Sequence, residues 1–375
     1  MNIGIYNPRI GMSEPGGTEA FLRAVIPYLT ENHDVTVYLG DGDLVTEVLE
    51  LDVERRLIDF CPKEHRANRL LSAYSPILPA EVESLSMFAD AYRSGQFEQM
   101  EREMDVVSTH YYLDNLLVSR QIETPTMFRF PGIKQPSIRW RTMSWLSQTD
   151  CYLTNSEATT DRVELWLDIH PAGEVYPGID TEQFHPDVEP AFAADNFVVL
   201  YAGRLDTGKG LEDLIDAHAR LPADVELYLV GDGTLRDTLE TRVEERGTGG
   251  SVTFVGAVPH DGIQRYYAAA DVFCLPSHHE GFGMVNIEAL ACGVPVVSTR
   301  IDAIEEYITE GENGLLVEPG NVRGLAGALR QLYDSPATRA AFREKGLETV
   351  SKFSWEAQAR RLEQFYRETA DAGSP

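Results

Sequence analysis

Short apolar runs rich in β-branched residues alternate along this chain with amphipathic stretches of helical period. In the C-terminal half NFVVLYAG is followed by KGLEDLIDAHARL, VELYLVG by TLRDTLETRVEERG, and SVTFVG by GIQRYYAAA. DVFCLPS and VPVVS, the latter followed by IDAIEEYI, continue the series. Runs apolar on both faces and separated by helices predict βαβ units and a parallel sheet covered on both sides. The N-terminal half repeats the theme with NIGIYNP, DVTVYLG, MDVVSTH, TPTMFRF and DCYLTNS, broken by a less regular region from about Asp59 to Arg102. Two doubly wound α/β lobes are the economical reading. YPGIDTEQFHPDVEPAFAADN, rich in Pro and acids and poor in period, reads as the linker. The expected division is 1–186, 187–352 and a C-terminal helix at 353–375 that packs on either lobe.

Composition narrows the function. The chain has 375 residues, more than one ordinary core holds, and 43% hydrophobic content supports two folded cores. Its 60 acidic and 32 basic residues give a net charge of -28, which repels polyanions and disfavours nucleic-acid binding. Acid excess with few lysines resembles adaptation to a salty cytosol, where the screening length falls to about 3 Å and a useful charge must touch its ligand. Cys61, Cys151, Cys274 and Cys292 form no CxxC pair and read as reduced. The start lacks a signal-peptide pattern and no run reaches 18 apolar residues, so a cytoplasmic protein is expected.

Ligands of open parallel sheets bind at the carboxyl ends of strands. After NFVVLYAG come Arg204, a glycine-containing turn and Lys209, two cations able to grip phosphate oxygens beside a helix N-terminus. The plain alternative is a βα loop with solvated cations. After DVFCLPS, the loop HHEGFG leads into MVNIEALAC. Gly281 and Gly283 let the backbone approach a ligand, while Glu280 and Glu288 can accept hydrogen bonds from vicinal hydroxyls. Either acid alone reads as solvated. Together with the Gly-Phe-Gly turn they describe a sugar-nucleotide site.

These segments, with YAGRLDTGKG, LVGDGTL, VTFVGAVP, GENGLLVEPG, NSEATTDR and PGGTEAF, resemble the retaining glycosyltransferases of family four (group 1). The resemblance covers most of the chain, and its most specific part is the E-x7-E pattern from Glu280 to Glu288. It implies a GT-B fold, two Rossmann-like lobes facing a central cleft, with the C-terminal lobe binding the nucleotide sugar and the N-terminal lobe on the acceptor side. It further implies that Arg204 and Lys209 neutralise the departing diphosphate, that Glu280 lies near the donor sugar and that Glu288 holds the ribose hydroxyls. Gly281, Phe282, Gly283 and Met284 match the donor-binding loop. Gly16 and Gly17 match a glycine loop at the diphosphate, and His110 a histidine near the reacting sugar. The implied activity is transfer of a hexose-type sugar from a nucleotide-diphosphate donor to a glycan or lipid-linked acceptor, in surface-glycan, glycoprotein or glycolipid synthesis. No prosthetic group is implied.

Alternatives stay open. An epimerase of the same fold, or a non-catalytic nucleotide-sugar-binding module, would use the same donor site. An NAD-dependent oxidoreductase is disfavoured, since NIGIYNPRIGMSEPGG lacks the tight G-x-G-x-x-G turn. Asp41 and Asp43 after VTVYLG imitate a metal-binding DxD but read as a solvated turn, and metal dependence is not expected. Two basic-aromatic segments remain, with Lys63, Arg66, Arg69, Leu70, Leu71 and Tyr74 in one and Lys134, Arg139, Trp140, Arg141 and Trp145 in the other. Helix packing with snorkelling arginines is the favoured reading, and peripheral docking on the inner face of the cell membrane the second.

Overall fold

The structure is a computed structural model. It describes residues 1–12, 17–41, 46–62, 65–69, 78–133 and 138–373, with the backbone alone at 46, 47, 79, 138–140 and 143. The chain divides into two compact units, Met1–Gly178 with Trp355–Pro375, and Ile179–Ser354.

The first unit holds a seven-stranded parallel sheet made of β1 (Asn2–Tyr6), β2 (Asp34–Gly40), β3 (Glu54–Ile58), β4 (Val106–Thr109), β5 (Thr126–Arg129), β6 (Cys151–Thr154) and β7 (Gly173–Glu174). Their spatial order is β3-β2-β1-β4-β5-β6-β7. Ile3 faces Val35 on one side and Val106 on the other, so β1 is central and the chain winds outward in both directions from it. The second unit holds six strands: β8 (Phe197–Ala202), β9 (Val225–Val230), β10 (Val252–Gly256), β11 (Val272–Leu275), β12 (Val296–Thr299) and β13 (Gly314–Val317). They run in the order β10-β9-β8-β11-β12-β13, and all are parallel. In each sheet the order reverses beside the first strand, which opens a crevice at the strands' carboxyl ends.

Every apolar run named from the sequence is a strand. The strands it did not name are β3, β7 and β13. β3 (ERRLI) is an edge strand buried mainly at Ile58, so it carries no continuous apolar run. β7 is two residues long, and GLLV of β13 sits between glycine turns.

The chain passes from the first unit to the second at Gly178, ahead of the expected 186. Ile179 N donates to Phe353 O (2.7 Å) and bridges Ser354, and Phe184 packs its ring on His260 and Tyr267. Residues 179–186 thus side with the second core. The helix Trp355–Ala372 packs in the first unit: Ala359, Leu362, Phe365 and Tyr366 are buried among Ile3, Leu22, Val25 and Val106. Among the described residues no helix is long and apolar enough to cross a membrane. Leu362→Ala is expected to cost about 2–5 kcal/mol, as for other buried leucines, in denaturant unfolding; a loss below about 1 kcal/mol would mean that this helix is not part of the core.

Candidate functional site

In the second unit the loops after β8 and β11 meet. Gly210 caps the helix Leu211–His218 at φ +65°, and a Cβ there would stand 2.0 Å from the Pro276 carbonyl oxygen. Only glycine permits that approach. His278 N donates to Gly208 O (2.8 Å), and the His278 ring reaches Asp213 (2.7 Å), which ties the two loops together. The closure brings Lys209 Nζ within 2.6 Å of Glu280 Oε1. Ser277 Oγ donates to the same oxygen (2.9 Å), while Thr299 Oγ1 donates to Ser277 O (2.5 Å). Lys209 and Glu280 are 23% and 12% exposed, so the pair is partly withdrawn from water yet reachable.

Arg204 is far more open, at 79%, and pairs with Asp206 (2.8 Å). Hydrogen bonds from Thr234 N and Oγ1 are the main reason the Asp206 carboxyl is held below the usual carboxylate range, with the nearby cations adding to it. Tyr201 donates to Arg204 O (2.8 Å) and shapes the turn. Burial raises its hydroxyl, and the charges of Glu280 and Asp206 add to that rise.

The Gly-Phe-Gly turn is clamped from below. Phe282 is 5% exposed and packs on Tyr307 and Phe353 at 5.1 and 5.7 Å between ring centroids. Tyr307 OH donates to Phe282 O (2.8 Å) and approaches Gly283 O (3.2 Å). Phe282 therefore contributes its backbone to the loop surface, while its ring is core. Gly283 lies at φ +81°, where an L side chain is strained, and opens the helix Met284–Ala291 without a side-chain cap. Gly281 has open space around it, and Met284 is half-buried as the first helical residue.

Glu288 sits in the same helix and is 7% exposed. Tyr267 OH donates to its Oε2 (2.7 Å), and His260 Nε2 stands 3.4 Å from its Oε1. An ionised carboxylate has about four acceptor positions, so each oxygen keeps capacity for a ligand. Glu288, His260, Arg204, Asp232 and Val258 help to line one cavity of about 350 Å³ within this unit. Arg204 and Glu288 share that cavity, which Lys209 and Glu280 do not line. Sequence reading missed Ser277, Tyr267 and His260. Tyr267 lay in a run read as helical, and nothing in that run announces a partner 21 residues away.

The candidates of the first unit are placed separately. Gly16 lies outside the described residues. Gly17 begins the helix Gly17–Thr30 with open space around its Cα. His110, just past β4, is 4% exposed. Burial, and then the Arg129 cation, lower its imidazole to about 3. Tyr366 OH donates to Ser108 Oγ (2.9 Å), and Ser108 Oγ lies 3.2 Å from His110 Nε2. With the serine proton directed at Nε2, the tautomer carries its hydrogen on Nδ1, which has no partner among the described residues. His110 is thus a neutral hydrogen-bonding group. Arg129 is itself buried, with Nε and Nη2 on Val175 O (2.9 and 2.6 Å) and its guanidinium 3.8 Å over the Phe21 ring.

Asp41 is exposed and Asp43 lies outside the described residues, among which no group of three metal-type ligands occurs. In the basic-aromatic segments Lys63, Leu70, Leu71, Tyr74 and Lys134 lie outside the described residues, as do the side chains of Arg139 and Trp140. Arg66 and Arg69 are exposed. Arg141 stacks on Trp145 at 5.4 Å, and the Trp145 indole donates to Leu167 O (2.6 Å).

Two parallel doubly wound units make an α/β two-lobe fold, the fold of solved GT-B glycosyltransferases. Sucrose-phosphate synthase from Thermosynechococcus elongatus superposes with a TM-score of 0.75 at 23% identity over 99% of both chains. Anabaena Alr3699/HepE in complex with UDP superposes at 0.76 and 20% identity, over 98% of this chain and 100% of that one. Residues 186–349 match the model of the glycosyl transferases group 1. The lipopolysaccharide core biosynthesis glycosyltransferase LpsE of Rhizobium meliloti is 36% identical over 221 residues, 57% of this chain and 63% of LpsE. Matches to two D-inositol 3-phosphate glycosyltransferases, from Corynebacterium urealyticum and Catenulispora acidiphila, span 57% and 52% of those proteins' length.

The depressed His110 value has a measurable consequence. Below the unfolded value of about 6.5 the unfolded chain takes up a proton that the folded one refuses, so this residue's contribution lowers stability as pH falls from about 6.5 toward 3. The His110 imidazole is expected to show no titration between pH 5 and 8 by NMR; a midpoint above 5 would contradict its burial.

Proposed function

We propose that this chain is a retaining glycosyltransferase that moves a hexose-type sugar from a nucleotide-diphosphate sugar to a glycan or lipid-linked acceptor. The observation that carries the reading is the Lys209–Glu280 pair held between two glycine-shaped loops, in the same unit as a cavity that offers Arg204 and Glu288. The second unit is the donor-binding part in this reading and the first unit the acceptor side.

The chemistry follows from charge. The bond between the anomeric carbon and the phosphate oxygen breaks with its electron pair going to the diphosphate, while positive charge grows on the sugar. Fixed cations near the leaving oxygens stabilise that separation more than they stabilise the ground state. Lys209 exchanges its carboxylate partner for the diphosphate, and Arg204, being open and only loosely paired, joins it. The uncapped helix beginning at Met284 adds backbone amides. Glu280, released from Lys209 and still held by Ser277, accepts hydroxyls of the donor sugar. Glu288 accepts the ribose hydroxyls. Gly16, Gly17 and His110 are the candidates of the first unit, His110 as a neutral hydrogen-bonding group.

Retention follows if the acceptor oxygen attacks from the face that the diphosphate leaves, with its proton passing to a departing phosphate oxygen. The new bond forms at the same carbon, and the products are a glycoside and a nucleoside diphosphate. Charge compensation by Arg204, Lys209 and amides leaves no step that requires a metal ion. Cytoplasmic residence, with contact to the inner membrane face through the arginine-bearing segments, suits a lipid-linked acceptor, and the acid excess suits a halophilic host.

Lys209→Ala and Arg204→Ala are expected to lower turnover by about 10²–10³, the usual cost of one preorganised charge donor. The check is product mass spectrometry with a panel of nucleotide sugars at high salt. Near-normal turnover in both variants would contradict their roles, and an isomerised sugar nucleotide without a new glycoside would replace transfer by epimerisation.

A further inference from the structure

Glu288 is a carboxylate sunk to 7% exposure on an eight-residue helix, and its two oxygens are engaged from two different elements. Tyr267 comes from the short helix Gln264–Ala268, is itself fully buried, and donates to Oε2 at 2.7 Å. The only cationic group placed on the other oxygen among the described residues is His260, 3.4 Å from Oε1. Its side chain is 70% exposed. One face packs on Phe184 at 5.4 Å between centroids, and its carbonyl accepts from Gln183 Nε2 (2.7 Å).

We propose that His260 is a positioning residue for nucleotide binding: as an imidazolium it donates to Glu288 Oε1 and fixes the carboxylate plane, so that the remaining lone pairs meet the ribose hydroxyls of the donor. The inference rests on the donor-binding reading of this cavity. Its physical basis is that a charge-assisted hydrogen bond holds a carboxylate more firmly than a neutral one, and that a carboxylate anchored at both oxygens loses less rotational freedom on binding.

The nearest charged groups facing His260 are acidic. Glu288 lies across from it, Asp261 follows it in the loop, and Tyr267 reaches it only through Glu288. Arg204 and Asp232 stand on the same cavity wall system, one of each charge, and Phe184 and Gln183 carry none. The hydrogen bond to Glu288, with the charges of Glu288 and Asp261, outweighs desolvation and raises the imidazole above its ordinary value. A raised histidine holds its interaction fully below about 6.5 and loses it as pH climbs through the folded value. Ribose recognition is therefore strongest on the acid side of that titration.

The test is calorimetric titration of the full chain with uridine, adenosine and guanosine diphosphates, and with the 2′,3′-dideoxy form of whichever binds best. It runs from pH 7 to 9 at fixed high salt, a window in which a terminal phosphate with a second pKa near 6 is already ionised. Affinity of the ribonucleotide is expected to fall roughly fivefold across the window, the scale of one partly exposed ion pair. His260→Gln should bind at the weaker level throughout and without that slope, and the dideoxy nucleotide should show no slope on either protein. A slope that survives in His260→Gln, or that persists with the dideoxy nucleotide, overturns the role of His260 while leaving the donor site standing. Failure of all three diphosphates to bind the native chain overturns both.

Discussion

The contact on which the account depends is the ion pair between Lys209 and Glu280, 71 residues apart in sequence and 2.6 Å apart in space. It exists because Gly210 lets the loop after β8 close on the Pro276 carbonyl, and because Ser277 holds the carboxylate from behind. A chain with 60 acids and 32 basic residues surrounds most cations with carboxylates, so an ion pair by itself says little. This one is set apart by its place. It is partly dehydrated, stands at the carboxyl edge of a parallel sheet, and leaves both members within reach of a ligand that carries anionic and hydroxyl groups together. Charge exchange from carboxylate to diphosphate then costs little, because the ligand supplies a stronger anion and the carboxylate finds hydroxyl donors.

The two acids of the E-x7-E pattern are held by different chemistry. Glu280 is balanced by a permanent cation and a serine, and Glu288 by a tyrosine and a histidine. In the proposed reading the first gives up its partner when an anion arrives, and the second keeps its partners and adds to them. A single helix starting at Gly283 carries Glu288, and the loop that precedes it carries Glu280. The clamp of Tyr307 on the Phe282 and Gly283 carbonyls therefore sets the relation of both acids to each other.

Much of this could be read from the residues, and the gaps have physical causes. Strands covered on both faces leave long apolar runs, so ten of the strands announce themselves; β3 is one-sided at a sheet edge, and β7 and β13 are too short or too glycine-flanked to stand out. Arg204, Lys209 and Glu280 in their loops, and Glu288 on its helix, stood out as candidates because they follow strand ends and because acid, glycine turn and helix occur in one stretch. Their supporting side chains did not. His260 and Tyr267 reach Glu288 from 28 and 21 residues away, and the tautomer of His110 depends on a chain through Ser108 to Tyr366, 258 residues beyond Ser108. Such partners are set by sheet order and helix return, which periodicity does not encode. The ring of Phe282 is a similar case: the motif marks the turn, and only the packing on Tyr307 and Phe353 reveals that the side chain is core.

The most direct measurement is a crystal structure of the full chain with a bound nucleoside diphosphate. The account predicts that Lys209 Nζ leaves Glu280 and lies on a phosphate oxygen, while Glu280 keeps its bond from Ser277. A nucleotide seated away from these loops, or one bound with the Lys209–Glu280 pair intact, would contradict it.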